Sequence, residues 1–171
     1  NAWGFLTLDV KRGILYVPLG SPTTDFYGAD RHGDNLYGNS LVALDAATGK
    51  LKWHQQLVHH DLWDFDPAAA PILFDAVRNG RTIPAVAQIT KPGLLFAFNR
   101  ITGEPLWGME ERPVPQSTVP GEKTSPTQPF PLKPPPLSRV EFSEKDFYNL
   151  TPEHAAFCRE LFEKNQMRPS P

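Results

Sequence analysis

Cysteine is almost missing from this chain: one residue, Cys158, in 171. That excludes an intrachain disulfide and says little about redox compartment. Cys158 falls in an expected helix, where a buried structural thiol is favoured over a reactive one. Charge of either sign is not in excess. The formal net charge of −2 leaves no basic footprint for nucleic acid and no polybasic patch for a membrane. No window approaches the roughly 18 consecutive apolar residues of a bilayer span. The start, "NAWGFLTLDV", lacks a charged region followed by an apolar one, so no signal peptide is expected. What remains is a globular composition, 40% apolar and 21% charged, long enough for one domain or for a piece of a larger one.

Proline, by contrast, is abundant. Nineteen are present, and nine of them lie between Pro113 and Pro136. Proline removes backbone donors and blocks helical geometry, so this stretch is neither a helix nor a sheet interior. It reads as an extended loop, either disordered or laid across a larger surface, with Val114, Phe130 and Leu132 interspersed.

Before Pro113 the signals are strands and turns. "GILYVPLG" (13–20) is an apolar run closed by glycine. "DVKRG" (9–13) is a weak turn before it. "NSLVALDAATGKLKWHQQLV" (39–58) and "AVAQITKPGLLFAFNRITGEPLW" (85–107) each hold two runs around a turn. Within them "ALDAATGKLKW" (43–53) and "AFNRITGEPLW" (97–107) are two copies of one pattern. Asp45 or Asn99 can accept backbone hydrogen bonds at the turn entry, and Gly49 or Gly103 takes the positive φ that other residues resist. Trp53 and Trp107 supply apolar area to lock one repeat onto the next. A repeat of roughly 50 residues, built of short strands, means β-propeller blades. About two blades and a leading partial one fit, and a ring needs at least four, so the chain reads as a segment of a larger protein. The expected organisation is propeller blades over 1–112, a proline-rich excursion over 113–150 and a helical segment over 151–171. For the last, "TPEHAAFCRELFEKNQ" (151–166), Thr151 suits the N-cap and Pro152 the first turn. Ala155, Cys158, Leu161 and Phe162 then form an apolar face to dock on a core.

The polar cluster "HHDLWDFD" (59–66) admits three readings. As a metal site it is poor: His59 and His60 face opposite sides of an extended chain, and the acids lack an EF-hand's glycine and terminal glutamate. An aspartate flanked by Trp63 and Phe65 could act as a general base in a water-poor setting, or serve as a structural hydrogen-bonding partner of tryptophan. Lys91, in "AQITKPGLLF", is either a solvated lysine or one aimed at an anionic or carbonyl-rich ligand.

Together, "GNSLVALDAATGKLKWHQQLVHHDLWDFD", "TKPGLLFAFNRITGEPLW", "ERPVPQS" and "TSPTQPFP" resemble the pyrroloquinoline-quinone (PQQ)-dependent dehydrogenases. The branch most similar is that of the membrane-bound glucose dehydrogenases. The resemblance covers nearly the whole chain and implies an all-β fold, a segment of an eight-bladed propeller, with the quinone near the central axis. It implies that Asp64 is the catalytic base, taking the proton of a sugar C1 hydroxyl as hydride passes to the quinone. It implies that Lys91, further along the chain, contacts the quinone carbonyls and stabilises charge developing there. Trp3, upstream of Gly20, is the expected floor on which the cofactor stacks. Calcium is the expected Lewis acid, with Asp64 and Thr23 as its ligands in this segment. Ser21 stands where methanol dehydrogenases have an asparagine ligand, and Thr23 is named in its stead. His59, His60, Asp61 and Asp66 are then expected to be scaffolding.

The resemblance further implies a sugar or alcohol substrate, a quinone pool or cytochrome as electron acceptor, and a periplasmic parent protein open to membrane association. The competing reading is a non-catalytic propeller scaffold for protein–protein contact. Asp64 and Lys91 discriminate, since a scaffold has no use for a base and a cation at that separation. A cofactor site built from blades around an axis leaves the isolated chain inactive. Micromolar quinone binding by that chain, in an absorbance titration, would contradict this expectation.

Overall fold

The computed structural model describes residues 1–140 and 142–167. They divide into two compact units, residues 1–137 and 138–167. The first holds two antiparallel sheets and a ribbon. Strands β1 (Thr7–Asp9), β2 (Ile14–Leu19), β3 (Ser40–Asp45) and β4 (Leu51–Gln56) pair in sequence order. Strands β5 (Ile72–Arg78), β6 (Arg81–Ile89) and β7 (Leu95–Asn99) form the second sheet. A single bridge, Phe98 to Pro105, stands where a fourth strand would lie. These are meandering blades, so the structure is a partial β-propeller, open at both sheets.

Burial explains the pattern. In β2 the alternating residues Ile14 and Tyr16 point inward. The inner strands β3 and β6 carry runs buried on both faces, Ser40–Ala43 and Ala85–Gln88. The two repeated turns close as the sequence requires. Asp45 Oδ1 accepts from the Thr48 N–H at 2.9 Å, and Asn99 Oδ1 from the Ile101 N–H at 2.9 Å. Gly49 (φ +70°) and Gly103 (φ +78°) supply the left-handed residue that a β-carbon would strain.

Trp53 joins the two blades. It is buried, with its ring 5.8 Å from that of Tyr16 and 6.1 Å from that of Phe98 across the joint. Its indole N–H donates to the Arg100 carbonyl at 3.2 Å, and the Tyr16 hydroxyl donates to the same oxygen at 2.7 Å. A β-carbon on Gly103 would lie 2.8 Å from Trp53 Cδ2. The second blade's turn glycine is therefore the seat of the first blade's tryptophan. Arg100 also reaches back, its Nε 3.0 Å from Asp9 Oδ2. Trp107, expected to make the corresponding lock, is 38% exposed, so of the two tryptophans Trp53 is the one that locks repeats together among the described residues.

The proline-rich stretch is partly sheet. Strands β8 (Met109–Pro113) and β9 (Thr127–Pro131) pair as a two-stranded ribbon. Both strands are edges, which is where proline's missing donor is tolerated. Gln128 clamps the ribbon to the connection after β4. Its amide N–H donates to the His59 carbonyl and its carbonyl accepts the His59 N–H, each at 2.7 Å.

The second unit contains a short 3₁₀ turn (Glu144–Asp146) and α1 (Pro152–Lys164). Thr151 caps the helix, accepting from the His154 N–H at 3.2 Å, and Pro152 opens it. Phe162 packs on Phe147 and Phe142, with centroids 5.3 and 6.4 Å away. No helix residue is fully buried. Cys158 is accordingly half-buried rather than the buried thiol expected, because a 13-residue helix in so small a unit has little surface to cover it. Arg168–Pro171, the end of the segment expected to be helical, lie outside the described residues. No helix of the described residues is long and apolar enough to cross a membrane.

The joint can be tested by stability. Replacing Trp53 with Ala is expected to cost about 3–5 kcal/mol, and Gly103→Ala about 2 kcal/mol through the positive φ and the clash. Denaturant midpoints measure both, and an unshifted midpoint for Trp53→Ala would refute the locking role. Acid should loosen the same joint. Burial pushes the Asp9 carboxyl up, but Arg12 and Arg100 beside it outweigh this and hold it below the usual range. A depressed carboxylate contributes stability that is present above about pH 4 and is lost as pH falls through its folded value. Asp9→Asn is expected to remove that part of the acid dependence in melting midpoints taken between about pH 6 and 3.

Candidate active site

Three separated segments meet at one point of the first unit: the chain around Trp3 and Gly20–Ser21, the connection after β4, and the β6–β7 turn. The middle one is organised by Asp61, whose buried carboxylate gathers four donors. Its Oδ1 accepts the Trp63 N–H at 2.9 Å. Its Oδ2 accepts the Phe65 N–H at 2.7 Å, the Asn39 amide at 2.8 Å and the Ser21 hydroxyl. Folding the backbone onto one side chain in this way makes a tight turn. Asp64 consequently sits in the left-handed region, at φ +57°. Its side chain faces outward, 30% exposed, beside the stacked rings of Trp63 and Phe65 (centroids 5.5 Å, planes 22° apart).

Two residues on, Asp66 turns inward and is buried. Its Oδ1 accepts the Ser21 N–H at 2.5 Å. Gly20 permits the approach, since a β-carbon there would lie 2.6 Å from Asp66 Oδ1 and 3.1 Å from Trp3 Nε1. Lys91 comes from the tight turn between β6 and β7, closed by the Gly93 N–H donating to the Thr90 carbonyl at 2.9 Å. Its ammonium donates to Asp64 Oδ2 at 2.7 Å and to Asp66 Oδ2 at 2.9 Å. It also lies 5.9 Å from the centroid of the Trp3 ring, within cation–π range.

Partial burial pulls the Lys91 ammonium's pKa down, but its hydrogen bonds to Asp64 and Asp66 outweigh that and hold it above the ordinary lysine value. Burial likewise pushes Asp66 up, while the Ser21 N–H and Lys91 outweigh it and hold the carboxyl below the usual range. The pair is thus ionised across the neutral range.

Asp64, Lys91 and Trp3 are therefore brought together. Thr23 is not joined to them: it is exposed on the loop after β2, and no hydrogen bond or ion pair among the described residues links it to Asp64. The two histidines diverge. His59 contacts Gln56 and Glu111, and His60 contacts the Gly33 carbonyl at 2.7 Å. Among the described residues no group of three or more His, Cys, Asp or Glu side chains is arranged to hold a metal. One exposed indole face with an ammonium at its side suits a planar anionic ring, so the residues present fit PQQ. They do not by themselves form a calcium site.

The expectation that Asp61 and Asp66 are scaffolding is too coarse. Asp61 orders the turn, and Asp66 holds Lys91. The closeness of Asp64 and Asp66 in the chain is the available signal, because a second acid two residues on stays within reach of the same lysine. The expectation of a single acid opposite Lys91 conceals it.

The comparisons with known proteins give the family. Residues 1–170 match the family described as PQQ: glucose/ethanol/alcohol dehydrogenase, beta-propeller domain. A probable quinate dehydrogenase (quinone) of Xanthomonas campestris pv. juglandis is 40% identical over 170 residues, 98% of this chain and 21% of that protein. Quinoprotein glucose dehydrogenase A of Acinetobacter calcoaceticus is 40% identical over 173 residues, 96% of this chain and 21% of that protein. The crystal structure of quinohemoprotein alcohol dehydrogenase from Comamonas testosteroni superposes with a TM-score of 0.58 at 28% identity, over 76% of this chain and 19% of that one. The chain thus spans about a fifth of the length of the curated relatives it matches. With the family matched along almost its entire length, the chain belongs to the β-propeller domain of the PQQ-dependent glucose, ethanol and alcohol dehydrogenases.

Proposed function

We propose that the protein carrying this chain is a PQQ-dependent dehydrogenase that oxidises a hydroxyl group of a sugar, cyclic polyol or alcohol. It works in the periplasm and passes its electrons to a quinone pool or a cytochrome. The observation that carries this reading is the convergence of Asp64, Lys91 and an open Trp3 face from three distant segments. A propeller used only for protein contact has no need of a half-exposed ammonium shared by two carboxylates beside a bare indole. PQQ, when bound, supplies the two-electron acceptor for the hydride that leaves the substrate carbon.

The chain's own residues do the rest. Trp3 offers an apolar face for stacking. Lys91 brings a fixed positive charge to the rim of that face, an electrostatic stabiliser for oxygens that gain charge. Asp64 is the only carboxylate of the cluster turned outward, and its Oδ atoms are the acceptors for a substrate hydroxyl proton. Its bond to Lys91 orients it, and Trp63 with Phe65 form an aromatic wall along one side. Asp66, buried with one oxygen held by Ser21 and the other by Lys91, is not open to a substrate hydroxyl. Calcium, expected from the resemblance, would find in Asp64 one oxygen donor and no completing set among the described residues.

In the full-length protein reconstituted with PQQ, Asp64→Asn is expected to lower kcat by about 10²–10⁴-fold, the usual contribution of a general base. Quinone affinity should stay within about threefold, since Lys91 keeps Asp66 as a partner. Dye-linked oxidation of glucose and quinate reads the first quantity and an absorbance titration the second. Unchanged turnover would remove Asp64 from the chemistry.

A further inference from the structure

Asp66 is the residue that the proposed chemistry does not use and that the fold holds most firmly. We propose that Asp66 is a positioning residue: a permanent counter-ion that fixes the Lys91 ammonium beside the Trp3 face, leaving Asp64 free to exchange its lysine bond for a substrate hydroxyl. The inference rests on the reading of the site given above and deepens it.

Two carboxylates share one ammonium, and they are not equivalent. Asp64 is 30% exposed and Asp66 7%. The donor to the Asp64 carboxylate is Lys91, at 2.7 Å. Asp66 is tied on both sides, by the Ser21 N–H at 2.5 Å and by Lys91 at 2.9 Å. Ser21 in turn is pinned through its hydroxyl to Asp61, which also takes the Asn39 amide. The position of Asp66 is therefore set from the blade core outward, and its bond to Lys91 has nowhere to relax. A base that must accept a proton cannot also be the sole support of the cation beside it, because neutralising it would release that cation. A second, buried carboxylate removes the conflict. When Asp64 takes a proton, the attraction holding Lys91 persists through Asp66, whose buried carboxylate leaves this pair less screened than one exposed on both sides.

The decisive measurement is a double-mutant cycle on quinone affinity in the full-length protein, followed by absorbance titration and by quenching of tryptophan fluorescence. Asp66→Asn keeps an acceptor for the Ser21 N–H and discards the carboxylate that Lys91 needs. It is expected to weaken PQQ binding about tenfold, the scale of one charge-assisted hydrogen bond. Removing a negative charge would by itself favour an anionic ligand, so weaker binding reports lost placement. Lys91→Met is expected to weaken binding further, and adding Asp66→Asn to it should change nothing, because Asp66 acts through the lysine. Asp66→Glu, which retains the charge, should recover at least half of the loss on a logarithmic scale.

Unchanged or tighter binding by Asp66→Asn, or additive effects in the double variant, would overturn the proposal. So would failure of both Asp66 variants to fold, which would assign the residue to the scaffold. If the unsubstituted protein bound no PQQ, the proposed function itself would fall, and this inference with it. Binding by the unsubstituted protein with no coupling between positions 66 and 91 would leave the proposed function standing and sink only the positioning role.

Discussion

A single buried carboxylate, that of Asp61, ties both ends of the β2–β3 connection to the connection after β4, on which the site depends. It accepts from Ser21 after β2, from Asn39 before β3 and from the Trp63 and Phe65 N–H groups after β4. A buried acid is costly unless its lone pairs are filled. Here they are filled by groups that would otherwise lack partners in tight turns. The same bonds therefore satisfy the acid and dictate the path of the chain. With that path fixed, Asp64 faces out and Asp66 faces in, and the lysine from the next blade finds both.

The blades themselves are joined by a different means, in which one aromatic ring packs across the joint with polar contacts around it. Trp53 fills the space that Gly103 leaves open and shares the Arg100 carbonyl with Tyr16. The joint matters to the site because Lys91 and Asp64 belong to different blades. Their 2.7 Å separation holds only while the blades keep their register. The β8–β9 ribbon adds a second restraint through Gln128, which reads the His59 backbone as a neighbouring strand would. Glu111 of the ribbon also contacts the His59 ring at 3.1 Å. The proline-rich excursion is thus held against the segment that carries Asp64.

Much of the architecture was legible from residue types alone. The turn pairs Asp45–Gly49 and Asn99–Gly103 announce themselves because only certain residues accept backbone donors or a positive φ, and the recurrence of one pattern at both marks the blades. Thr151 and Pro152 mark the helix start for equally local reasons. The ribbon was less visible. Proline argues against sheet interiors, and nothing local tells an edge ribbon from an extended loop. Cys158 was misjudged for a tertiary reason: its burial depends on what the helix packs against, which no helical periodicity records.

The sequence by itself determined the turns, the repeat, the identity of the acids and the lysine, and through its family resemblance the pairing of Asp64 with Lys91. Only the tertiary structure decided how three neighbouring acids divide their labour. Asp61, Asp64 and Asp66 are chemically the same and lie close together in the chain. What separates them is where each carboxylate meets its donors: Asp61 among backbone and side-chain donors of two connections, Asp66 against Ser21 and Lys91, Asp64 at the surface against Lys91. Those side-chain donors come from Ser21, Asn39 and Lys91, far off in the chain, and the contacts exist only once the blades are packed.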